Sequence, residues 1–140
     1  MDQVIILLNR YFANIKDENG ESAEVTKNMI NNYVKMKIVP APIKKKYSRT
    51  HIAYLIIVCT MKQIFSISMI KRLLPDFEDE GKIEEIYIKF IDYFQEAISE
   101  DVKKYSMEKW TDHKEAAIRM SSEAIVLTLL AEHMLYEPEA

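Results

Sequence analysis

Residues 39–55, VPAPIKKKYSRTHIAYL, place two prolines, three consecutive lysines and a Tyr-Ser pair directly before an apolar run. Proline lacks the amide that a helix interior needs, so Pro40 and Pro42 predict the end of a preceding helix. Ser48 is a residue type preferred at helix N-caps, and it predicts that a new helix covers about residues 49–63. The stretch therefore predicts two helices joined by a short connector that carries three positive charges.

The rest of the chain also shows helical periodicity. Apolar residues recur at spacings of three and four, and only two glycines and four prolines among 140 residues supply turn chemistry. This composition favours long helices over a many-stranded β fold. The sequence predicts an all-α fold with four helices in a first domain, residues 1–75, and two long helices in a second, residues 76–140. The predicted helices cover about 2–15, 25–39, 49–63, 66–74, 81–105 and 112–136, with Thr26 as N-cap of the second and Ser66 or Ser68 as N-cap of the fourth.

Charge is divided unevenly along the chain. Residues 1–75 hold 12 Lys/Arg and 5 Asp/Glu (+7), whereas residues 76–140 hold 7 and 17 (−10), which together give the net charge of −3. Between Val25 and Pro75 there are ten Lys/Arg and no acidic residue. Clustered basic charge of this kind is typical of a surface that binds a polyanion, most often nucleic acid. The alternative is that the basic half of the chain complements its acidic half.

Residue types that carry catalysis or bind metals are few and scattered. The three histidines have no paired spacing, and two glycines are too few for a phosphate-binding glycine-rich loop. Cys59 lies in an apolar run, where a cysteine usually packs as a small buried residue. The sequence therefore predicts no enzymatic activity, no catalytic residue, no cofactor and no metal.

The expected location is the cytoplasm. A single cysteine leaves no intramolecular disulfide, as is usual in a reducing compartment. No secretory signal is recognisable after Met1. The longest uncharged apolar stretch, residues 52–61, has about half of the length that spans a bilayer. We expect no membrane partner.

The last predicted helix has an unusual apolar pattern. Residues 124–131, AIVLTLLA, are apolar on nearly every helical face, so this segment needs cover on more than one side. Small and large residues alternate there in a way that lets helices approach closely, and both the centre of a monomeric bundle and a homodimer interface are compatible with the pattern. The alternating positions are Ala117, Met120, Ala124, Leu127, Ala131 and Met134.

Three segments resemble, in this order, the DNA-binding half of the MerR-type transcription regulators. VTKNMINNYVKMKIVPAP (25–42) is similar to their recognition helix and its exit, with Tyr33 at the aromatic position. KKKYS (44–48) is similar to the end of their wing and the entry to the next helix. FSISMIKRLL (65–74) is similar to the segment that leads into the final helix of the DNA-binding unit. With the upstream MDQVIILLNRY, the first 80 residues or so resemble more closely a family of small MerR-like bacterial proteins of unknown function, typified by YkrK.

The resemblance implies a winged helix-turn-helix in the first domain. A recognition helix, about residues 26–37, enters the major groove of double-stranded DNA, and a short basic wing, residues 43–48, holds the flanking backbone. Lys37 stands where the regulators carry a helix-ending glycine. The second domain is outside the resemblance, and as a hypothesis we expect its acidic helices to form a homodimer or to bind an effector. The residues implicated in DNA binding are Thr26, Lys27, Asn28, Asn31, Asn32, Lys35, Lys44, Lys45, Lys46, Tyr47 and Arg49.

Two functions follow from these observations. The first is a DNA-binding transcriptional regulator. The alternative is a protein-interaction module on a winged-helix scaffold that has lost DNA binding, since a fold does not determine a function. Its basic face would dock an acidic partner. For Tyr33 we expect packing in the core rather than contact with DNA.

Overall fold

The chain is helical in the part that the structure describes. A computed structural model describes residues 1–13, 19, 24–104 and 112–136. Within these ranges the regular structure is six α-helices and one isolated β-bridge, so the prediction of an all-α fold is confirmed. None of the described helices combines the length and the apolar character needed to cross a membrane. The helices are α1 (Asp2–Tyr11), α2 (Lys27–Lys35), α3 (Arg49–Met61), α4 (Ile67–Leu73), α5 (Glu80–Lys104) and α6 (His113–Tyr136).

Helices α2, α3 and α4 begin where a hydroxyl side chain caps them. The side-chain oxygens of Thr26, Ser48 and Ser66 accept from the amide three residues later, at 3.3, 3.3 and 3.4 Å. These bonds satisfy amides that have no partner inside the helix. The predicted N-caps Thr26 and Ser48 are confirmed, and of the two candidates for α4 the structure selects Ser66.

Two helices end earlier than predicted. α2 ends at Lys35, because Lys37 takes a left-handed backbone conformation (φ 58°) that a continuing helix excludes. α1 ends at Tyr11 and is followed by a turn. The last two residues of the helix predicted over 2–15, and most of the loop predicted over 16–24, lie outside the described residues.

Residues 1–87 form one compact unit whose core includes α3. Leu55 and Val58 are 0% exposed and Ile57 is 1% exposed, so the middle turns of α3 are buried on every side. Each such side chain contributes about 1.5–3 kcal/mol by leaving water. The hydroxyl of Tyr54 donates to the carbonyl of Pro75 at 3.1 Å and thereby joins α3 to the linker that precedes α5.

A side-chain amide connects α1 to the start of α2. The Asn9 Oδ1 accepts from the amide of Val25 at 2.7 Å, and the Asn9 Nδ2 donates to the carbonyl of Val25 at 3.2 Å. Val25 is only 4% exposed, so its backbone groups depend on this partner. The two bonds hold together segments that are 16 residues apart in the chain.

The second compact unit, residues 88–140, buries little of its apolar surface. In α5, Ile83 of the first unit is 1% exposed, but Phe94 and Ile98 are 40% and 52% exposed. In α6, Leu127 and Met134 are 66% and 73% exposed. Both alternatives for α6, the centre of a monomeric bundle and a homodimer interface, stay predictions. The domain boundary expected between residues 75 and 76 stays a prediction.

Candidate nucleic-acid interface

Helix α2 presents one continuous polar face to solvent. We call this face the polar stripe of α2. Its members follow the spacings i, i+1, i+4, i+5 and i+8, which share one side of a helix, and all are exposed. The opposite side carries Ile30 (0% exposed) and Tyr33 (5% exposed) into the core. The stripe consists of Lys27, Asn28, Asn31, Asn32 and Lys35.

Tyr33 packs in the core, as expected. Its burial, together with the proximity of Cys59, raises the pKa of the Tyr33 phenol above its usual value. A phenol placed in this way is neutral and anchors α2 against α3. Thr26 has a structural task as well, since its hydroxyl caps the helix, although the side chain remains exposed.

The end of α2 is a Schellman motif built around a lysine. The amide of Ile38 donates to the carbonyl of Tyr33 and the amide of Lys37 to that of Val34, both at 3.0 Å. This motif places Lys37 in the left-handed region, with φ 58°. Glycine is the usual residue there, and an L-residue in that conformation costs about 1 kcal/mol relative to glycine. Lys37 therefore occupies the position of the Schellman motif at which glycine is usual.

The three consecutive lysines lie in a tight turn, residues 43–46, which we call the lysine turn. Ile43 and Lys46 exchange both of their backbone hydrogen bonds, at 3.0 and 2.9 Å. The two central residues, Lys44 and Lys45, have φ values of 49° and 62°, as a type I′ turn requires. Such turns favour Asn-Gly at their two central positions. Lys44 and Lys45 are therefore, like Lys37, lysines in a strained left-handed conformation. All three lysine side chains are exposed.

A buried histidine holds the segment that carries the lysine turn. His51 is 1% exposed. Its Nδ1 accepts from the amide of Ser48 at 3.1 Å, and its Nε2 lies 3.1 Å from the carbonyl oxygen of Ala41. A carbonyl only accepts, so Nε2 is the nitrogen that donates, and Nδ1 is the nitrogen that accepts. One imidazole thus ties both flanks of the lysine turn, Ala41 and Ser48, to the first turn of α3.

An aromatic cluster surrounds this imidazole. The ring of Phe77 lies 4.7 Å from that of His51, and Tyr47 presents an edge at 5.5 Å. Tyr54 meets Phe77 at 5.7 Å. Burial raises the pKa of the Tyr47 and Tyr54 phenols, and the negative charge of Asp76 adds to the increase for Tyr54. Of the predicted contact residues, Tyr47 is therefore partly committed to packing, whereas Arg49 is exposed on the first turn of α3.

A comparison with protein families places the chain in a family. The model for DUF1836, a domain of unknown function, matches residues 1–96. The chain belongs to the DUF1836 family. No curated protein and no solved structure matches it significantly. The expectation of a family of unknown function is confirmed, and the resemblance to MerR-type regulators stays a prediction.

The DUF1836 match covers α1 to α4 and most of α5. It therefore contains the polar stripe of α2, the lysine turn and the histidine that supports the turn. His51 and Asn9 were not recognised from the sequence as structural connectors. For His51 a local signal exists, because a serine followed three residues later by a polar side chain is the spacing of a capping box, and the structure has that box.

The basic residues on and near α2 and the lysine turn form no ion pair with a described acid. Ion pairs of the described residues include Asp79–Lys82, Lys104–Glu123 and Arg119–Glu123, all three outside residues 25–75. Seven exposed cations consequently lie on or near α2 and the lysine turn without an anionic partner among the described residues. They are Lys27, Lys35, Lys37, Lys44, Lys45, Lys46 and Arg49.

A cleft of about 340 Å³ opens beside the exit of α2. Val34, residues 37–41, Tyr54 and Phe77 line it. Lys37 supplies positive charge to an otherwise largely apolar lining. Lys37 and Ala41 therefore line the same cleft, and Ala41 is held there by His51.

The described residues offer little of the chemistry that catalysis uses. Cys59 is 5% exposed, and burial raises the pKa of its thiol to about 12, so it is protonated and inaccessible as a nucleophile. In the described ranges no group of three or more His, Cys, Asp or Glu side chains is placed to hold a metal ion.

Proposed function

We propose that this DUF1836 protein binds double-stranded DNA through the polar stripe of α2 and the lysine turn. The observation that carries the proposal is the exposure of both elements within 51 residues, Val25 to Pro75, that contain no acidic side chain. Seven exposed cations without described anionic partners form a surface that favours a polyanion, because their charge is not cancelled within the chain.

The two elements have different chemistry and, we propose, different tasks. The lysines of the turn are point charges that suit phosphate oxygens, which position a protein on DNA without reading sequence. Asn31 and Asn32 carry side-chain amides, and an amide can form a bidentate pair with adenine in the major groove. Any sequence preference therefore comes from α2. In this proposal α2 is the recognition helix and the lysine turn is the wing of a MerR-like transcriptional regulator that acts in the cytoplasm.

The test is a salt titration of DNA binding. Anisotropy of a labelled duplex is measured at several KCl concentrations for the wild type and for the triple variant Lys44→Ala/Lys45→Ala/Lys46→Ala. Each lost phosphate contact lowers the slope of log K against log salt by about 0.9, so the triple variant loses up to about 2.7.

The matched control removes the same charge elsewhere. Lys62, Lys71 and Lys103 are exposed lysines outside both elements, and their triple alanine variant should keep the wild-type slope. If the two triple variants behave alike, the lysine turn has no special role. If the wild type binds no duplex at low salt, the proposed function is wrong.

A homodimer is the second part of the proposal. The described part of residues 88–140 exposes thirteen large hydrophobic side chains. At on the order of 100 Å² each, their summed apolar area is more than the roughly 800 Å² per partner of a standard interface. On α6 the exposed set includes Ile118, Ile125, Val126, Leu127, Leu129, Leu130, Met134 and Tyr136.

Sedimentation velocity over a range of concentrations tests the homodimer. Ile125→Glu/Leu129→Glu places two charges on the apolar surface of α6 and should leave the chain monomeric where the wild type dimerises. Ser121→Glu/Ser122→Glu adds the same charges at exposed polar positions of α6 and should still dimerise. A wild type that stays monomeric at high concentration contradicts this part of the proposal.

A protein-interaction module is the second candidate function. The observation that favours it is the charge of −10 on residues 76–140, which matches the +7 on residues 1–75. In this case the basic surface docks an acidic protein, including the acidic half of another copy. Size-exclusion chromatography across salt separates the two functions: an assembly that dissociates at high salt, with no retention of DNA at low salt, supports the module.

A further inference from the structure

The residues at strained backbone positions are alike in residue type, exposure and charge. Within the described residues, the non-glycine residues with positive φ are Lys37, Lys44 and Lys45, and all three are lysines. All three are exposed and lack an ion pair with any described acid. They fall within nine residues of one another, inside the acid-free part of the chain. Strain and unneutralised charge therefore coincide at these three positions.

The fold by itself gives no reason for lysine at these positions. A Schellman motif favours glycine at the position of Lys37, and Asn-Gly suits the centre of a type I′ turn. Glycine or asparagine enters the left-handed region more readily than lysine. A cation near the C-terminus of α2 interacts favourably with the helix dipole, but this applies only to Lys37. Lys44 and Lys45 are not at a helix end.

We propose that Lys37 belongs with Lys44 and Lys45 to one phosphate-binding set, whose ammonium groups contact the phosphodiester backbone of DNA. The inference rests on the proposed function and adds Lys37, which the resemblance implied only as a replacement for glycine. The left-handed backbone positions fix the direction in which each Cα–Cβ bond leaves the backbone before DNA arrives. This reduces the ordering that binding would otherwise require.

The structure links Lys37 to the lysine turn through residues 38–42. Ile38 is held by its hydrogen bond to Tyr33, and Ala41 by the imidazole of His51. Lys37 borders the same cleft as Ala41. Both ends of the connector are therefore fixed, so the spacing between Lys37 and the turn is built into the fold rather than left to a free loop.

The inference predicts that removing these lysines raises the stability of the fold and weakens the binding of DNA. Lys37→Asn and Lys44→Asn/Lys45→Gly relieve backbone strain and remove charge. For each relieved position, the folding equilibrium constant from urea denaturation should rise about fivefold, as a gain of about 1 kcal/mol implies. The salt slope of DNA binding should fall by about 0.9 for each lysine removed. Affinity at low salt should fall with it.

Lys62→Asn is the matched control. Lys62 is also exposed and lies in the acid-free stretch, but its φ is −63°, so asparagine relieves no strain there. The control should gain no stability and keep the wild-type slope. If Lys37→Asn keeps the wild-type slope while Lys44→Asn/Lys45→Gly lowers it, Lys37 is not in the set, and DNA binding as such stands.

Two further outcomes overturn the inference. If the variants at Lys37, Lys44 and Lys45 are no more stable than the wild type, the lysines are not held against the preference of the backbone. If the wild type binds no DNA at any salt concentration, the inference and the proposed function fail together, and the stability measurement alone then reports the strain.

Discussion

The two compact units of the chain treat their apolar residues in opposite ways. Among the described residues, 19 of the 20 buried hydrophobic side chains belong to residues 1–87, and only Ala116 belongs to residues 88–140. Large exposed hydrophobic side chains show the reverse, with 5 in the first unit and 13 in the second. The first unit completes its own core, whereas the second leaves apolar surface that water disfavours.

This difference explains why the candidate interface can rely on strained backbone. A helix as thoroughly buried as α3 provides a rigid support, and the Ser48–His51 box fixes the lysine turn to it. The burial of one large side chain in the first unit contributes about 1.5–3 kcal/mol, which exceeds the cost of about 1 kcal/mol for one left-handed lysine at the surface. The second unit buries little apolar surface among its described residues, which is the basis of the proposal that it self-associates.

The largest expected contrast is in hydrogen exchange. At a concentration where the chain is monomeric, the amides of residues 55–58 in α3 should exchange only by global unfolding. The amides of residues 125–130 in α6 should exchange at least about 1,000-fold faster, because few buried contacts hold α6 in place. Mass spectrometry of peptide fragments measures this. Equal protection of the two helices would show that the second unit has a core of its own in solution.

A matched pair of leucine substitutions sharpens the comparison. Leu55 is 0% exposed and Leu127 is 66% exposed. Leu55→Ala should lower the free energy of unfolding by about 3 kcal/mol, from lost burial and the resulting cavity, and Leu127→Ala should change it by less than about 0.5 kcal/mol. Urea denaturation at low protein concentration is the measurement. A loss for Leu127→Ala that grows with protein concentration would indicate that a second copy covers this residue.

The Asn9 connection predicts an intermediate effect. Asn9→Leu keeps the approximate shape of the side chain but removes both partners of the buried Val25 backbone. The free energy of unfolding should fall by about 2 kcal/mol, the penalty for a buried polar group left unpaired. The control is Asn31→Leu, at an exposed position of α2, which should be nearly neutral. If both variants lose the same stability, the Asn9 bonds are not the cause.

The smallest effect concerns alkaline pH. Burial raises the pKa of the Cys59 thiol from 9.0 to about 12. Between these values the folded chain keeps a proton that the unfolded chain has lost, so the free energy of unfolding falls as pH rises. Below pH 9 both states are protonated, and the thiol contributes no pH dependence. Cys59→Ala should remove a decrease of about 1 kcal/mol between pH 9 and pH 10.

The measurement for Cys59 is the difference in slope between the two proteins, since the variant also loses some packing. Tyr47 and Tyr54 have raised pKa values as well, but they are present in both proteins and cancel in the comparison. Cys59 contributes to the raised pKa of Tyr33, so the comparison is made between pH 9 and pH 10, where the folded Tyr33 stays protonated in both proteins. Parallel curves for wild type and variant above pH 9 would contradict the burial of the thiol.

Features that act over a few residues were predictable from the sequence. The helical class follows from apolar spacings of three and four, and the starts of α2 and α3 follow from Thr26 and Ser48 as N-caps. The burial of Tyr33 and the exposure of Asn31 follow from the same spacing, because opposite faces of a helix meet opposite environments. The acid-free stretch is a property of composition alone.

Other features could not be predicted from the sequence, because they depend on contacts that form only in the folded chain. Asn9 meets Val25 across 16 residues and His51 meets Ala41 across 10, and nothing in either neighbourhood identifies the partner. The left-handed backbone of Lys37 is contrary to the preference of lysine and arises from the turn that brings α2 back onto the core. Local sequence therefore determined which segments are helices and where their charge lies. Only the tertiary structure decided which polar groups pair, which lysines are strained and which apolar surface stays open, since these depend on contacts between residues far apart in the chain.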